Sequence, residues 1–351
     1  MLKQLFKDSF YIGTMLNDDQ VLGDDPNAMR IINEHFNSIT AENVMKWDFI
    51  HPEQDTYQFQ PADRFIALGQ KHHLFLVGHT LVWHAQTPDW VFRDKSENFV
   101  TRETLLQNMQ DHIFTVVGRY KGKVNGWDVV NEAVDDHGQM RKSQWWKILG
   151  EDYIQKAFEY AHQADPDAKL YYNDYSLYFP EKRDKVVQLI RNLKSDGVRV
   201  DGIGLQGHWG LDYPEKLDEI EDSIIAFSEL GVEVMITELD VNVLPLPDKY
   251  VGADVSFKFE WQKEYDPYPE HLSNSLQKKL ADRYADLFDL FYRHRNKISR
   301  VTIWGIHDGQ SWLNHWPIEG RTNYPLLFDR AYQPKPAMDA IAKLIEESNA
   351  L

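Results

Sequence analysis

Two stretches, Trp127-Asp128-Val129-Val130-Asn131-Glu132 and Val234-Met235-Ile236-Thr237-Glu238-Leu239-Asp240, decide how this chain can fold. Each is a run of strand-forming residues that leads to a glutamate. In a barrel of parallel strands, the C-terminal ends of all strands meet on one face, so Glu132 and Glu238 would face each other across a pocket. A single glutamate at a strand end more often caps the next helix, but two such glutamates favour a catalytic pair.

Strand-like segments alternate with amphipathic segments along the whole chain. The predicted strands are Phe10–Met15, Ser38–Ala41, Leu74–Gly78, Val124–Val130, Lys169–Tyr172, Gly202–Gln206, Glu233–Thr237 and Arg300–Gly305. The predicted helices cover 27–37, 61–73, 103–120, 151–164, 181–196, 214–230, 275–295 and 336–348. This alternation predicts an α/β fold in which residues 1–351 form one catalytic (β/α)8 TIM barrel domain.

An open doubly wound sheet is the alternative fold. That fold usually carries a glycine-rich phosphate-binding turn after its first strand, and neither GxGxxG nor GxxxxGK occurs in this sequence. Residues 244–275, between the seventh predicted strand and its helix, are long for a loop of this kind. We expect this elongated loop either to wall the site or to be a disordered surface insert.

The composition is that of a globular protein that does not bind polyanions. The 351 residues are 42% hydrophobic, enough for a large core, and carry a formal net charge of −17. Such an acidic chain cannot neutralise phosphates, so we expect neither nucleic acid nor an anionic membrane as a partner. The 11 Trp, 17 Tyr and 18 Phe suit a saccharide site, although most rings in any protein belong to the core.

The chain has no cysteine, which excludes disulfides, thiolate catalysis and cysteine-based zinc sites. Its first nine residues contain no continuous apolar segment and no small-residue cleavage site. No uncharged apolar run approaches the length of a membrane span. These features predict a soluble cytoplasmic protein.

Polar and aromatic residues follow nearly every predicted strand, on the face where a barrel enzyme has its active site. Cleaving an acetal needs one protonated carboxyl group for the departing oxygen and one ionised carboxylate for the anomeric carbon. We assign Glu238 as the nucleophile and Glu132 as the general acid/base, with Asn131 placed to bind a sugar 2-hydroxyl. A separation of about 5–5.5 Å between the two carboxyl groups would give retention of configuration. Asp240 and His208 are predicted to orient Glu238, and His84 is a further supporting residue.

The histidines allow a rival interpretation as metal ligands. His79, His84 and His208, with Asp308, would be the ligands in a barrel metallohydrolase. Such enzymes more often carry a His-x-His pair at the end of the first strand, where this chain has Met15-Leu16-Asn17-Asp18. The sequence therefore favours a hydrolase without metal or other cofactor.

In several segments, the sequence resembles glycoside hydrolase family 10, the endo-β-1,4-xylanases, and in particular the intracellular type. The matching segments are Ile39-Thr40-Ala41-Glu42-Asn43-Val44-Met45-Lys46, Gly78-His79-Thr80-Leu81-Val82-Trp83-His84, Trp127-Asp128-Val129-Val130-Asn131-Glu132-Ala133, Gly204-Leu205-Gln206-Gly207-His208, Ile236-Thr237-Glu238-Leu239-Asp240 and Tyr324-Pro325-Leu326-Leu327-Phe328-Asp329. The likeness covers essentially the whole chain.

The resemblance implies retaining hydrolysis of β-1,4-xylosidic bonds in xylan or xylo-oligosaccharides, with the same two glutamates as catalytic residues. The xylose under attack would be held by His79, Trp83, Asn131, Gln206, His208 and Trp304. The next xylose on the non-reducing side would be held by Glu42, Asn43, Lys46, Gln86 and Trp312. Tyr175 would face the leaving-group side. The absence of a signal peptide suggests short xylo-oligosaccharides as the working substrate.

Two other functions remain open on the same sequence. A sugar-binding protein without catalysis would not need both carboxyl groups. A cellulase-type hydrolase would share all of the chemistry and differ only in having room for a hydroxymethyl group. The sequence predicts nothing about the oligomeric state.

Overall fold

The structure is a computed structural model that describes residues 1–23, 25–247 and 252–349. Its strands are β1 (Tyr11–Leu16), β2 (Ser38–Ala41), β3 (Phe75–Trp83), β4 (Gly126–Asn131), β5 (Lys169–Asp174), β6 (Gly202–Leu205), β7 (His208–Gly210), β8 (Glu233–Asn242) and β9 (Ile298–Ile303). Its helices are α1 (Leu2–Leu5), α2 (Asp18–Leu22), α3 (Pro26–His35), α4 (Trp47–Ile50), α5 (Phe59–Lys71), α6 (Arg102–Arg119), α7 (Gln144–Leu149), α8 (Asp152–Ala164), α9 (Pro180–Ser195), α10 (Asp218–Ser228), α11 (Asn274–Arg293) and α12 (Pro336–Asn349).

The strands close into a parallel barrel. Strands β1 to β6 pair in order, β6 also pairs with β8, β8 with β9, and β9 with β1. The short β7 lies outside this ring and pairs with the C-terminal part of β8, with His208 opposite Asp240. The predicted (β/α)8 TIM barrel is therefore confirmed, and all strand C-termini lie at one end.

The strands are buried on both faces because the barrel interior lies on one side and the helices on the other. All six residues of β4, including the polar Asp128 and Asn131, are buried. This double burial explains why the strands read as nearly continuous apolar runs instead of alternating patterns.

Three of the long helices, α3, α6 and α11, begin with a side-chain cap. In α11, the Ser273 hydroxyl accepts a hydrogen bond from the Leu276 backbone N–H, which satisfies one unpaired donor of the first turn. Leu280, Tyr284 and Leu287 lie on the buried side of the same helix. The predicted helix bounds agree with the structure to within a few residues.

The predicted strand ends are wrong at three places on the active face. Strand β3 continues to Trp83 instead of ending at Gly78, and β8 continues to Asn242 instead of Thr237. Strand β7 was not predicted at all. In β3 and β8, the predicted end falls just before a polar residue that lines the cavity, His79 or Glu238, and the strand continues past it.

The elongated loop follows β8, the seventh strand of the barrel, and leads to α11. Residues 248–251 of this loop lie outside the described part of the chain. In the described part, the Phe259 backbone N–H donates to the carbonyl of Pro317 (2.9 Å), so the loop is attached to the segment after β9. Among the described residues, no helix combines the length and apolar character needed to cross a bilayer.

Candidate active site

A cavity of about 160 Å³ opens at the C-terminal end of the barrel. Nearly all of the residues that the sequence predicted for the site line it. They are Glu42, Asn43, Lys46, His79, Trp83, Gln86, Asn131, Glu132, Gln206, His208, Glu238, Trp304 and Trp312, joined by Ala253 and Val255 from the elongated loop. A larger groove at the opposite end of the barrel, beside Lys169 and Glu233, holds neither catalytic candidate. The chemistry therefore belongs to the smaller cavity.

Glu132 lies directly after β4 and is held by hydrogen-bond donors. Trp83 Nε1 donates to Oε2 (2.8 Å), and Gln206 Nε2 donates to Oε1 (2.9 Å). The backbone of Glu132 has a φ of 57°, which a non-glycine residue rarely adopts and which is concentrated at functional sites. Burial raises the pKa of Glu132, and the bond from Gln206, the charge of Arg141 and the bond from Trp83 offset this only in part. Glu132 therefore favours the protonated form needed by a general acid.

Glu238 lies within β8 and has the opposite electrostatic setting. Asn173 Nδ2 donates to Oε1 (2.7 Å), and His208 Nε2 lies 3.2 Å from Oε2. Burial alone would raise the pKa of Glu238, but the bond from His208, the charges of His79 and His208 and the bond from Asn173 outweigh it and lower the pKa. Glu238 is thus held as a carboxylate, the form required of a nucleophile.

His208 links Glu238 to a buried acid behind it. Its Nδ1 lies 3.0 Å from Asp240 Oδ2, and the same oxygen accepts a hydrogen bond from Trp312 Nε1 (2.7 Å). Burial would lower the pKa of His208, but Asp240 and Glu238 together raise it to about 10. Asp240 is fully buried and does not line the cavity, so its predicted supporting place is behind His208.

Asn131 and Asn173 connect the two glutamates through their side-chain amides. The Asn131 carbonyl oxygen accepts from Asn173 Nδ2 (2.9 Å), and Asn131 Nδ2 donates to Glu132 Oε1 (3.3 Å). Thr237 Oγ1 in turn donates to Asn173 Oδ1 (2.6 Å). Sequence reasoning missed Asn173 as a site residue, although its place near the end of β5 was a usable signal.

One wall of the cavity carries polar groups that suit sugar hydroxyls. Lys46 Nζ donates to Gln86 Oε1 (2.8 Å) and to Asn43 Oδ1 (3.3 Å). Burial lowers the pKa of Lys46 and raises that of Glu42, while each partly offsets the shift of the other. These groups form a preorganised set of charged donors and acceptors beside the two carboxyl groups.

Two tryptophans form an apolar wall of the cavity. Trp304 packs edge-on against His79 and His208, with ring centroids 5.6 and 6.3 Å apart. Trp312 is stacked on Trp316 at 4.5 Å. Both rings line the cavity, where their apolar faces suit the C–H groups of a sugar.

The residues of the rival metal interpretation do not converge. His79 Nδ1 lies 2.9 Å from Asp128 Oδ2, His208 lies between Glu238 and Asp240, and Asp308 is paired with Lys335. His84 Nδ1 lies 3.8 Å from Glu132 Oε2, and burial lowers the pKa of His84 to about 3. Within the described ranges, no group of three or more His, Asp or Glu side chains is arranged to hold a metal ion.

Tyr175 lies outside the lining of the cavity, and only 1% of it is exposed. Its hydroxyl accepts a hydrogen bond from Arg141 Nη2 (2.7 Å), and Arg141 Nη1 donates to Asp254 on the elongated loop (2.8 Å). Sequence reasoning missed both Arg141 and Asp254. Neither lies at a strand end, and nothing in the sequence indicates that they meet.

Comparisons with known proteins agree with this geometry. A family model described as glycosyl hydrolase family 10 matches residues 1–344. The endo-1,4-beta-xylanase A of Xylanibacter ruminicola is 48% identical over 98% of this chain and 93% of its own length. A GH10 endoxylanase retrieved from a sugarcane soil metagenome superposes with a TM-score of 0.95 at 46% identity, covering 98% of this chain and 100% of its own. The intracellular xylanase TsXylA of Thermoanaerobacterium saccharolyticum, solved as a mutant complex with xylotriose, superposes with a TM-score of 0.84 at 38% identity over 97% of each chain.

Proposed function

The chain belongs to glycosyl hydrolase family 10 and is an endo-1,4-β-xylanase, and on this premise we propose that it acts by double displacement with Glu238 as nucleophile and Glu132 as general acid/base. One observation carries the proposal. Both carboxyl groups line one cavity, and their surroundings move their pKa values in opposite directions. That division assigns the acid and the base.

In the first step, a carboxylate oxygen of Glu238 attacks the anomeric carbon of the bound xylose. The bond from that carbon to the glycosidic oxygen breaks, and Glu132 gives its proton to the departing oxygen. The product is an α-linked glycosyl ester on Glu238 and a shortened saccharide with a new hydroxyl group. The positive charge that builds up on the sugar is stabilised by the ionised Glu238 until the ester forms.

In the second step, water attacks the anomeric carbon from the opposite side and releases Glu238 as a carboxylate. Glu132, now ionised, takes the proton from that water. Repulsion from the charge of Glu238 is one cause of the raised pKa of Glu132. Because the ester removes this charge, the pKa of Glu132 falls between the two steps, which suits its change from acid to base. Two inversions give net retention.

The substrate is positioned by the two walls of the cavity. We assign the site of the attacked xylose to His79, Trp83, Asn131, Gln206, His208 and Trp304, and the next site toward the non-reducing end to Glu42, Asn43, Lys46, Gln86 and Trp312. We place Tyr175 on the leaving-group side, where it acts from behind the lining. Short xylo-oligosaccharides in the cytoplasm are the proposed working substrate, supported by the similarity to an intracellular xylanase.

Azide rescue tests the two roles separately, with an aryl xylobioside that carries an activated leaving group. With azide, Glu238→Gly should form the α-glycosyl azide because the anion replaces the missing nucleophile in a single inversion. Glu132→Ala should form the β-glycosyl azide because the anion attacks the covalent intermediate. The unsubstituted enzyme, which forms no glycosyl azide, is the control. Products of the reverse configuration would exchange the two roles.

Two comparisons of kcat/KM test the substrate preference. The first compares aryl xylobioside with aryl cellobioside, and the second compares xylotetraose with polymeric xylan. We expect faster turnover of the xyloside, and a higher kcat/KM on the tetrasaccharide than on the polymer. A preference for the cellobioside would indicate a cellulase-type enzyme. If no turnover depends on Glu132 and Glu238, the protein would instead be a binding protein.

The proposed cytoplasmic location is tested by fractionating the source cells and measuring in which fraction the enzyme is found.

A further inference from the structure

Arg141 makes three contacts that meet around the acid/base candidate. Its Nε donates to the backbone carbonyl of Glu132 (3.0 Å), Nη2 donates to the Tyr175 hydroxyl (2.7 Å), and Nη1 donates to Asp254 Oδ2 (2.8 Å). The planar guanidinium thus fixes three groups from three different parts of the chain in one plane. Its side chain is only 14% exposed, so water competes little for these bonds.

Asp254 is also held in place by hydrogen bonds within its own loop, independently of Arg141. Its second oxygen, Oδ1, accepts from the backbone N–H (3.0 Å) and the hydroxyl (2.6 Å) of Ser256. Its two neighbours in the loop, Ala253 and Val255, line the active-site cavity. The ion pair with Arg141 therefore joins this part of the cavity lining to the segment that carries Glu132.

We propose that Arg141 is a positioning residue for Glu132 and that Asp254, by binding Arg141, makes the elongated loop part of the acid/base apparatus. This inference rests on the role proposed for Glu132. The backbone of Glu132 has a φ of 57°, a conformation that persists only where the surrounding structure stabilises it. The hydrogen bond from Arg141 Nε to the backbone carbonyl of Glu132 provides this stabilisation. Arg141 thereby sets the direction in which the carboxyl group leaves the backbone.

The same pair also tunes the charge around Glu132. Asp254 has a pKa of about 2, because the bonds from Ser256 and Arg141 outweigh the raising effect of burial, so it is ionised at working pH. The positive charge of Arg141 lowers the pKa of Glu132, and the negative charge of Asp254 partly cancels that effect. Other titratable groups that face this pair or Glu132 are Glu238, Lys46, His84, Tyr153, Asp174, Tyr175 and Lys182.

The test uses Arg141→Gln and Asp254→Asn, with the pH dependence of kcat/KM on xylotetraose as the readout. Loss of the positive charge should move the alkaline limb to higher pH, and loss of the negative charge should move it to lower pH, each by on the order of one unit. Both variants should lose about 10- to 100-fold in kcat on the tetrasaccharide because Glu132 is less well aligned. The loss should be smaller on an aryl xylobioside whose leaving group needs no proton.

Arg102 and Asp152 provide a matched control. Arg102 Nη2 donates to Asp152 Oδ2 (2.6 Å) and Nη1 donates to the backbone carbonyl of Leu149 (2.7 Å), so the pair repeats the carboxylate and carbonyl contacts away from the cavity. Arg102→Gln and Asp152→Asn should leave both the pH profile and the leaving-group dependence unchanged. Arg141→Lys separates charge from geometry, because it should keep the alkaline limb in place and still lose kcat on the tetrasaccharide.

The outcomes are distinguishable. Shifts of the alkaline limb in the same direction for both charge variants, or profiles like those of the control pair, would overturn the positioning role. If Arg141→Gln does not fold, Asp254→Asn alone still decides, because the absence of its downward shift contradicts the proposal. A Glu132→Ala enzyme that hydrolyses xylotetraose at the unsubstituted rate would instead remove the proposed function itself.

Discussion

At the scale of single residues, His208 maintains the difference between the two glutamates. With a pKa raised to about 10 by Asp240 and Glu238 against the effect of burial, its imidazole is positively charged at neutral pH. That charge, together with the contact to Glu238 Oε2 (3.2 Å), holds the proposed nucleophile ionised. His208 is thus the most direct electrostatic support of the division of roles.

His208→Asn should move the acid limb of kcat/KM to higher pH. The substitution removes a charged donor from Glu238, so the pKa of Glu238 rises and a larger fraction of the nucleophile is protonated at mildly acidic pH. We expect His162→Asn, on the exposed side of α8, to leave the profile unchanged. An unchanged acid limb in the His208 variant would contradict the proposed role of this residue.

The same residue predicts a pH dependence of stability. Because the folded-state pKa of His208 is raised from 6.5 to about 10, its contribution to the free energy of unfolding is fully present below pH 6.5. It is lost as pH rises through about 10. Urea unfolding at pH 6.5 and at pH 10 should therefore show a smaller loss of stability for His208→Asn than for the unsubstituted protein. Equal losses would rule out a charged His208.

The sequence predicted the residues that carry chemistry better than those that support them. Glu132 and Glu238 were predicted to share a pocket because each follows or ends a strand-forming run and strand ends converge on one face of a barrel, and both line the cavity. Arg141 and Asp254 were not found because their meeting depends on how two loops fold over the barrel end. The place of Asn173 near the end of β5 could have indicated a site residue, but its contacts with Asn131 of β4 and with Glu238 and Thr237 of β8 could not be read from the sequence.

At the scale of elements, a glycine on a neighbouring strand leaves space for the side-chain amide of Asn173, which is hydrogen-bonded to Glu238. Gly204 on β6 has no side chain, and a Cβ atom there would lie 2.3 Å from Asn173 Oδ1 and 2.6 Å from Thr237 Cγ2. A side chain at this position would therefore displace Asn173 from Glu238. On β4, a Cβ at Gly126 would meet Tyr171 Cε2 at 2.4 Å, away from the catalytic groups.

Gly204→Ala and Gly126→Ala should be similarly destabilised but differ in activity. Each overpacks the barrel interior, which typically costs about 1–3 kcal/mol in the free energy of unfolding. Only Gly204→Ala should also lower kcat, by about 10- to 100-fold, because the ionised Glu238 loses the hydrogen bond that Asn173 donates to it. Urea unfolding and xylotetraose kinetics measure the two effects. Equal kcat values would show that Asn173 is not needed.

The element bounds could be predicted where packing alone determines them. The eight long helices were found to within a few residues because each buries a stripe with helical spacing. Strands β3 and β8 were cut short because a polar residue, His79 or Glu238, follows each predicted end, and polarity is the usual sign of a strand end. These two strands extend farthest at the active face, so the error marks the functional end of the barrel.

At the scale of the whole molecule, the two ends of the chain meet and close the barrel. Strand β1 pairs with β9, and Phe6, just after α1, packs against Phe10 at 4.9 Å and against Phe288 of α11 at 5.4 Å. Phe6 is fully buried. The segment around Phe6 is therefore part of the core, and it connects the start of the barrel, next to β1, with the late helix α11.

Phe6→Ala should destabilise the whole barrel by about 3–5 kcal/mol, the usual cost of removing a buried aromatic side chain. Phe99→Ala is the matched control, since Phe99 is 47% exposed, and it should change stability by no more than about 0.5 kcal/mol. Urea unfolding followed by tryptophan fluorescence measures both. Because Phe6 is remote from the cavity, kcat at 25 °C should be unchanged. A small effect of Phe6→Ala would mean that the N-terminal segment is dispensable.

The hydrogen-bond partners of the two glutamates have a practical consequence for capturing a bound saccharide in a crystal. Trp83, Gln206, Asn131, Asn173 and a charged His208 contact the carboxyl oxygens of Glu132 and Glu238, and all of them present N–H groups. A glutamine in either position would have to turn its own NH₂ toward one of these donors, so an isosteric replacement would distort the pocket that it is meant to preserve. Truncation to alanine, which leaves space for water to accept those bonds, is the better route to an inert enzyme with an undisturbed binding surface.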